Sequence, residues 1–71
     1  MNNPITISPE IQSGAPVFRG TRVPVKILFD YLKGGDSLED FLEDFPSVTK
    51  EHVNRVLDIA ENALTFRQLA A

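Results

Sequence analysis

The 71-residue chain contains no cysteine, so neither a disulfide nor a thiolate metal site can reinforce it. Its single histidine, His52, cannot build a zinc site unless several carboxylates converge on it. Apolar runs are only a few residues long, far short of the roughly 20 that a membrane-crossing helix needs. The opening Met-Asn-Asn-Pro has neither the basic start nor the apolar stretch of a secretory signal. No Walker-type or dinucleotide glycine pattern occurs, and one histidine without a placed nucleophile makes no catalytic triad. These absences point to a cytoplasmic, non-catalytic binding module that needs neither cofactor nor metal.

A chain of this length is read as one domain over residues 1–71, small against the usual 100 to 150 or so. It buries roughly 60% of the surface its unfolded form exposes. Thin cores of this kind recruit disulfides, metals or partner subunits. With the first two excluded, self-association into a homodimer is expected.

What is present is an uneven charge. Residues 1–35 hold Arg19, Arg22, Lys26 and Lys33 against Glu10 and Asp30, a balance of +2, whereas residues 36–71 carry −5, for a net charge of −3. Such a chain can offer an anion-binding patch and a cation-binding patch at once.

The first third, residues 1–23, reads as an extended arm. Ile5-Thr6-Ile7 alternates apolar and polar as a short strand does, and Val17-Phe18 suits a second one. Pro9, Gly14, Pro16 and Gly20 argue against any helix between them. Val17 and Phe18, apolar on an exposed arm, are expected to pack on a partner subunit.

Helical order begins at Pro24, with Val25, Leu28, Phe29 and Leu32 on one face, and stops at Gly34-Gly35. A second helix opens at Asp36 or Ser37, where Asp36 to Glu39 or Ser37 to Asp40 resembles a capping box. Leu38, Phe41, Leu42 and Phe45 form its apolar face, and Pro46 ends it. Asp36, Glu39, Asp40, Glu43 and Asp44 make its other face a solvated acidic one, hostile to phosphates. Thr49 caps a third helix, with Glu51 in its first turn and Val53, Val56, Leu57, Ala60, Ala63 and Leu64 facing inward. Residues 65–71 either extend this helix or form a tail. The fold class is therefore mostly α: an arm or strand, then a three-helix core over residues 24–64. The last two helices are joined by a turn of helix-turn-helix length.

In a helix-turn-helix, the second helix presents its early outward residues to the major groove. Thr49, Lys50, His52, Asn54 and Arg55 are that set here, and Arg, Lys and Asn all read base edges. A plain three-helix bundle with a solvated third helix is the competing reading. On the residues alone it stands slightly ahead, because the acidic helix before it counts against conventional docking on phosphates. Arg19-Gly20-Thr21-Arg22, with Lys26 beyond it, suits an extended basic arm that enters a minor groove or follows phosphates. It suits equally well a pair of arginines that buttress a turn and pair with the acidic second helix.

The run Gly14-Ala15-Pro16-Val17-Phe18-Arg19-Gly20-Thr21-Arg22-Val23-Pro24-Val25 resembles the domain-of-unknown-function family 433. Leu32, Gly35, Leu38, Phe45-Pro46, Val48-Thr49, Val53 and Ala60 continue the likeness, so it covers about residues 5–62. Ala15 departs from it where a basic residue is common. Lys50 and His52 depart at the start of the third helix, where a proline and an acid are commoner.

The resemblance implies a homeodomain-like or winged-helix-like helix-turn-helix domain that dimerises. Small members are similar to VapB-type antitoxins, each paired with a PIN-like ribonuclease toxin that it neutralises while repressing the shared promoter. On that reading Glu39, Asp40, Glu43 and Asp44, with Phe66 and Leu69 of the tail, face the toxin. Arg19, Thr21, Arg22, Thr49, Lys50, Asn54 and Arg55 face DNA. A DNA regulator without a toxin, or a protein-interaction module that binds no DNA, are the alternatives.

Overall fold

Ile5–Thr6 (β1) and Val17–Phe18 (β2) pair as antiparallel strands, with Ile5 opposite Phe18 and Thr6 opposite Val17. The computed structural model describes residues 3–65. On its other side β2 meets the next stretch of chain: Val17 bridges Pro24, and the Phe18 N–H donates to the Val23 carbonyl at 3.0 Å. A two-residue strand flanked on both sides satisfies its backbone and can be buried. Val17 and Phe18 are both fully buried. The expectation that they pack on a partner from an exposed arm is therefore corrected. The arm is a hairpin folded onto the chain's own core, because an apolar pair gains more by joining that core than by waiting for a second subunit.

Gly20 turns the chain after β2. Its φ of 81° is what the third position of a type II turn demands, and the Thr21 N–H donates to the Phe18 carbonyl at 3.0 Å to close it. The Thr21 hydroxyl donates to that same carbonyl at 2.8 Å and accepts from the Val23 N–H at 3.0 Å. Between the strands, where the prolines and glycines were read as barring any helix, one 3₁₀ turn forms at Gln12–Gly14. It is a turn of left-handed backbone, with φ of 51° at Gln12 and 56° at Ser13, and not a segment of ordinary helix.

Three helices follow: α1 at Val25–Lys33, α2 at Leu38–Asp44 and α3 at Lys50–Thr65. Pro24 serves as the N-cap of α1. The helix ends in a Schellman motif: the Asp36 N–H donates to the Tyr31 carbonyl at 3.0 Å and the Gly35 N–H to the Leu32 carbonyl at 3.2 Å. Gly35 takes the left-handed conformation this requires, with φ of 90°. Ser37 and Asp40 form the capping box of α2, the Asp40 N–H donating to Ser37 Oγ at 3.0 Å.

The core draws on every layer: Phe18 from β2, Leu28 from α1, Phe41 from α2, Val48 from the turn, Val53 and Val56 from α3. Phe41 sits at its centre, 5.9 Å from the Phe18 ring and 5.2 Å from Phe45, with Tyr31 edge-on at 5.5 Å. Helix α3 is about 24 Å long at 1.5 Å per residue and outruns its two shorter neighbours. Its buried residues are Val53 and Val56, and Ala63 and Leu64, expected inward, are exposed. Leu32 on α1 is likewise exposed. The architecture is mostly helical, three helices with an N-terminal two-stranded hairpin. Among the described residues, no helix is long and apolar enough to cross a membrane.

Candidate nucleic-acid interface

The start of α3 is built by an exchange between Thr49 and His52. Thr49 Oγ1 accepts from the His52 N–H at 3.1 Å, and the Thr49 N–H points back at His52 Nδ1 at 3.5 Å. This is the geometry of a capping box with an imidazole in place of the customary acid or amide. The reciprocal bond needs Nδ1 unprotonated. The same ring packs against Phe18, centroids 6.5 Å apart, which brings the end of β2 to the first turn of α3.

Arg19 follows Phe18 and so arrives at the same place. Its N–H donates to the Pro4 carbonyl at 2.8 Å, and its side-chain Nε donates to the neighbouring Asn3 carbonyl. Two successive carbonyls thus hold one arginine at both ends. That bond uses one of the five guanidinium donors. Arg55 comes from α3, one turn after Glu51 and on the same face. Asn3, Pro4, Arg19, Thr49, Glu51, His52 and Arg55 together line a depression of about 320 Å³.

Of the residues expected to face DNA, the structure gathers Arg19, Thr49 and Arg55 here. Thr21 does not join them, since its hydroxyl holds the turn beneath Arg19. Arg22, Lys50 and Asn54 are exposed but do not line the depression. Neither Arg19 nor Arg22 forms an ion pair with a carboxylate of α2 among the described residues. Asn3 and Pro4 were missed because only the hairpin register brings them there. The Glu51–Arg55 spacing of four residues was a legible sign that Glu51 would share the site.

The acidic residues of α2 lie elsewhere, and none lines the depression. Glu39 and Glu43 are exposed. Asp40 is committed to the capping box, and Asp44 accepts the Tyr31 hydroxyl at 2.6 Å. That bond, with weaker contributions from desolvation and from the charges of Asp44, Asp36 and Asp40, pushes the Tyr31 pKa up to about 12. Phe66 and Leu69 lie outside the described residues. Among those residues, no group of three His, Asp or Glu side chains is placed to hold a metal ion.

A two-stranded hairpin strapped across three helices, with arginines at one end and carboxylates along the middle helix, defines a small, mostly helical module with two differently charged surfaces. The chain belongs to the family described as "Protein of unknown function (DUF433)", whose model matches residues 5–60. It is also similar to the uncharacterized protein y4eO of Sinorhizobium fredii (strain NBRC 101917 / NGR234), 42% identical over 57 residues. That match takes in 80% of this chain but spans only 26% of the relative's length. No solved structure matches the chain.

Proposed function

We propose that this domain is an antitoxin-type repressor of the helix-turn-helix class, cytoplasmic and homodimeric. It binds promoter DNA with the face around Arg19 and α3 and a PIN-like ribonuclease with the acidic face of α2. The observation that carries the reading is the segregation of charge. Arg19 and Arg55 meet at the opening of α3, where a second helix of this class presents its side chains, and the carboxylates of α2 stand apart from them. Lys50 and Asn54, exposed on α3, extend the basic face with side chains that contact phosphates and base edges. An acidic helix complements the cationic cleft expected of a ribonuclease, which favours fast and selective association.

The test is an anisotropy titration of the protein against its own upstream DNA, repeated across salt and with a scrambled duplex as control. Binding that exceeds the control and weakens steeply with salt is expected. Replacing Arg19 or Arg55 with Gln should lower the slope of log affinity against log salt by about 1 for each phosphate no longer neutralised. Absence of binding, with and without the neighbouring gene product, removes the repressor half of the proposal.

A further inference from the structure

We infer that the depression between the hairpin and α3 is a site for a single phosphodiester group of a nucleic-acid strand. The inference rests on the DNA-binding reading and gives it a specific contact.

Three features set the ligand's chemistry. Arg19 is held at both ends by the Asn3 and Pro4 carbonyls, so its remaining donors reach the mouth already oriented and little rotamer freedom is lost on binding. Arg55 enters the same mouth from a different element, and two guanidinium groups arranged around one concavity are the usual means of grasping phosphate oxygens. Glu51 stands in the same lining. Two guanidiniums against one carboxylate leave one net positive charge, the complement of the single negative charge on a phosphodiester. The volume of about 320 Å³ exceeds that of a bare phosphate group and leaves room for the flanking sugar carbons. The N-terminal end of α3 adds partial positive charge at the same place, a secondary contribution.

Glu51 also acts as a brake. A carboxylate beside the phosphate weakens every nucleic-acid contact at this point, whatever the sequence, and so limits non-specific binding.

The test is an NMR titration of the full chain with dimethyl phosphate, run beside inorganic phosphate and sodium chloride at matched ionic strength. Both phosphates should produce saturable shifts of the Glu51 and His52 amides and of the Arg19 Nε–H, while chloride does not. R19Q should weaken the response about tenfold, the scale of one charge-assisted hydrogen bond. E51Q should strengthen it about threefold, the scale of one exposed charge pair, a gain that misfolding cannot imitate. Shifts equal to those in chloride, or an E51Q affinity unchanged for dimethyl phosphate, overturn the inference. Phosphate capture without any duplex binding would keep this site and remove the repressor reading. Duplex binding indifferent to R19Q and E51Q would do the reverse.

Discussion

Tyr31 donates its hydroxyl to the Asp44 carboxylate at 2.6 Å, tying the last turn of α1 to the end of α2. The contact crosses from the aromatic core to the acidic surface, because the same ring lies edge-on to both Phe41 and Phe45. A carboxylate of the charged face is thereby a structural group as well.

This contact makes stability depend on alkaline pH. Because the folded Tyr31 pKa, about 12, lies above the ordinary tyrosine value of about 10, its contribution is fully present below the unfolded value. It is lost as the pH rises through the folded one. Tyr31 is the only tyrosine in the chain, so absorbance near 295 nm reads this group alone. Titration in buffer should give a midpoint well above that in urea. Equal midpoints would mean that the bond to Asp44 does not persist in solution.

Truncating Phe18 should unfold the domain. Removing a buried phenylalanine side chain costs about 3–5 kcal/mol, against a total stability of roughly 0.05–0.15 kcal/mol per residue. Urea denaturation followed by circular dichroism should show Phe18→Ala largely unfolded in buffer and Phe18→Leu folded with a lowered midpoint. A Phe18→Ala protein as stable as the parent would contradict the burial of β2.

The start of α3 depends on its cap. Thr49→Ala should cost about 1 kcal/mol, and Thr49→Ser, which keeps the oxygen, only a small part of that. The same denaturation experiment separates the two. A loss shared equally by both variants would assign the effect to the Thr49 methyl group.

The acidic face divides into two kinds of residue. Glu39 and Glu43 are exposed, and the double change to Gln should leave stability within about 0.5 kcal/mol. Asp40→Ala breaks a capping box and should cost about 1 kcal/mol. If α2 meets a cationic nuclease, the Glu39, Glu43 double variant should also slow association at low salt with little effect on dissociation. Stopped-flow capture of the neighbouring gene product reads this, and unchanged rates would take α2 out of the interface.

Helix ends and helix faces were legible because their causes are local. Ser37 with Asp40, Thr49 at the head of α3 and the Gly34-Gly35 stop each act within a few residues, and the structure realises all three. The expected apolar faces failed only toward the ends, at Leu32, Ala63 and Leu64, where the periodicity continues but no neighbouring element is long enough to cover it.

The hairpin was half legible. Both strands lie where alternation and turn residues placed them, yet their burial was not foreseen, since an apolar pair between glycines and prolines looks the same on an arm and in a core. The site was legible in the same measure. Basic residue types at Arg19 and Arg55 were visible in the chain, but their meeting was not.

The order of elements, the caps and the family follow from the sequence alone, because backbone propensity, capping and motif are short-range properties. Tertiary structure alone decided that Phe18 lies in the core and not at a partner. It also decided that Arg19 stands beside Thr49, Glu51 and Arg55, some thirty residues further on, and that Asp44 accepts the Tyr31 hydroxyl. The first two rest on the packing of Phe18 between Phe41 and His52, and the third on the seating of Tyr31 against Phe41 and Phe45. Contacts of that kind join residues whose separation along the chain carries no periodic signal.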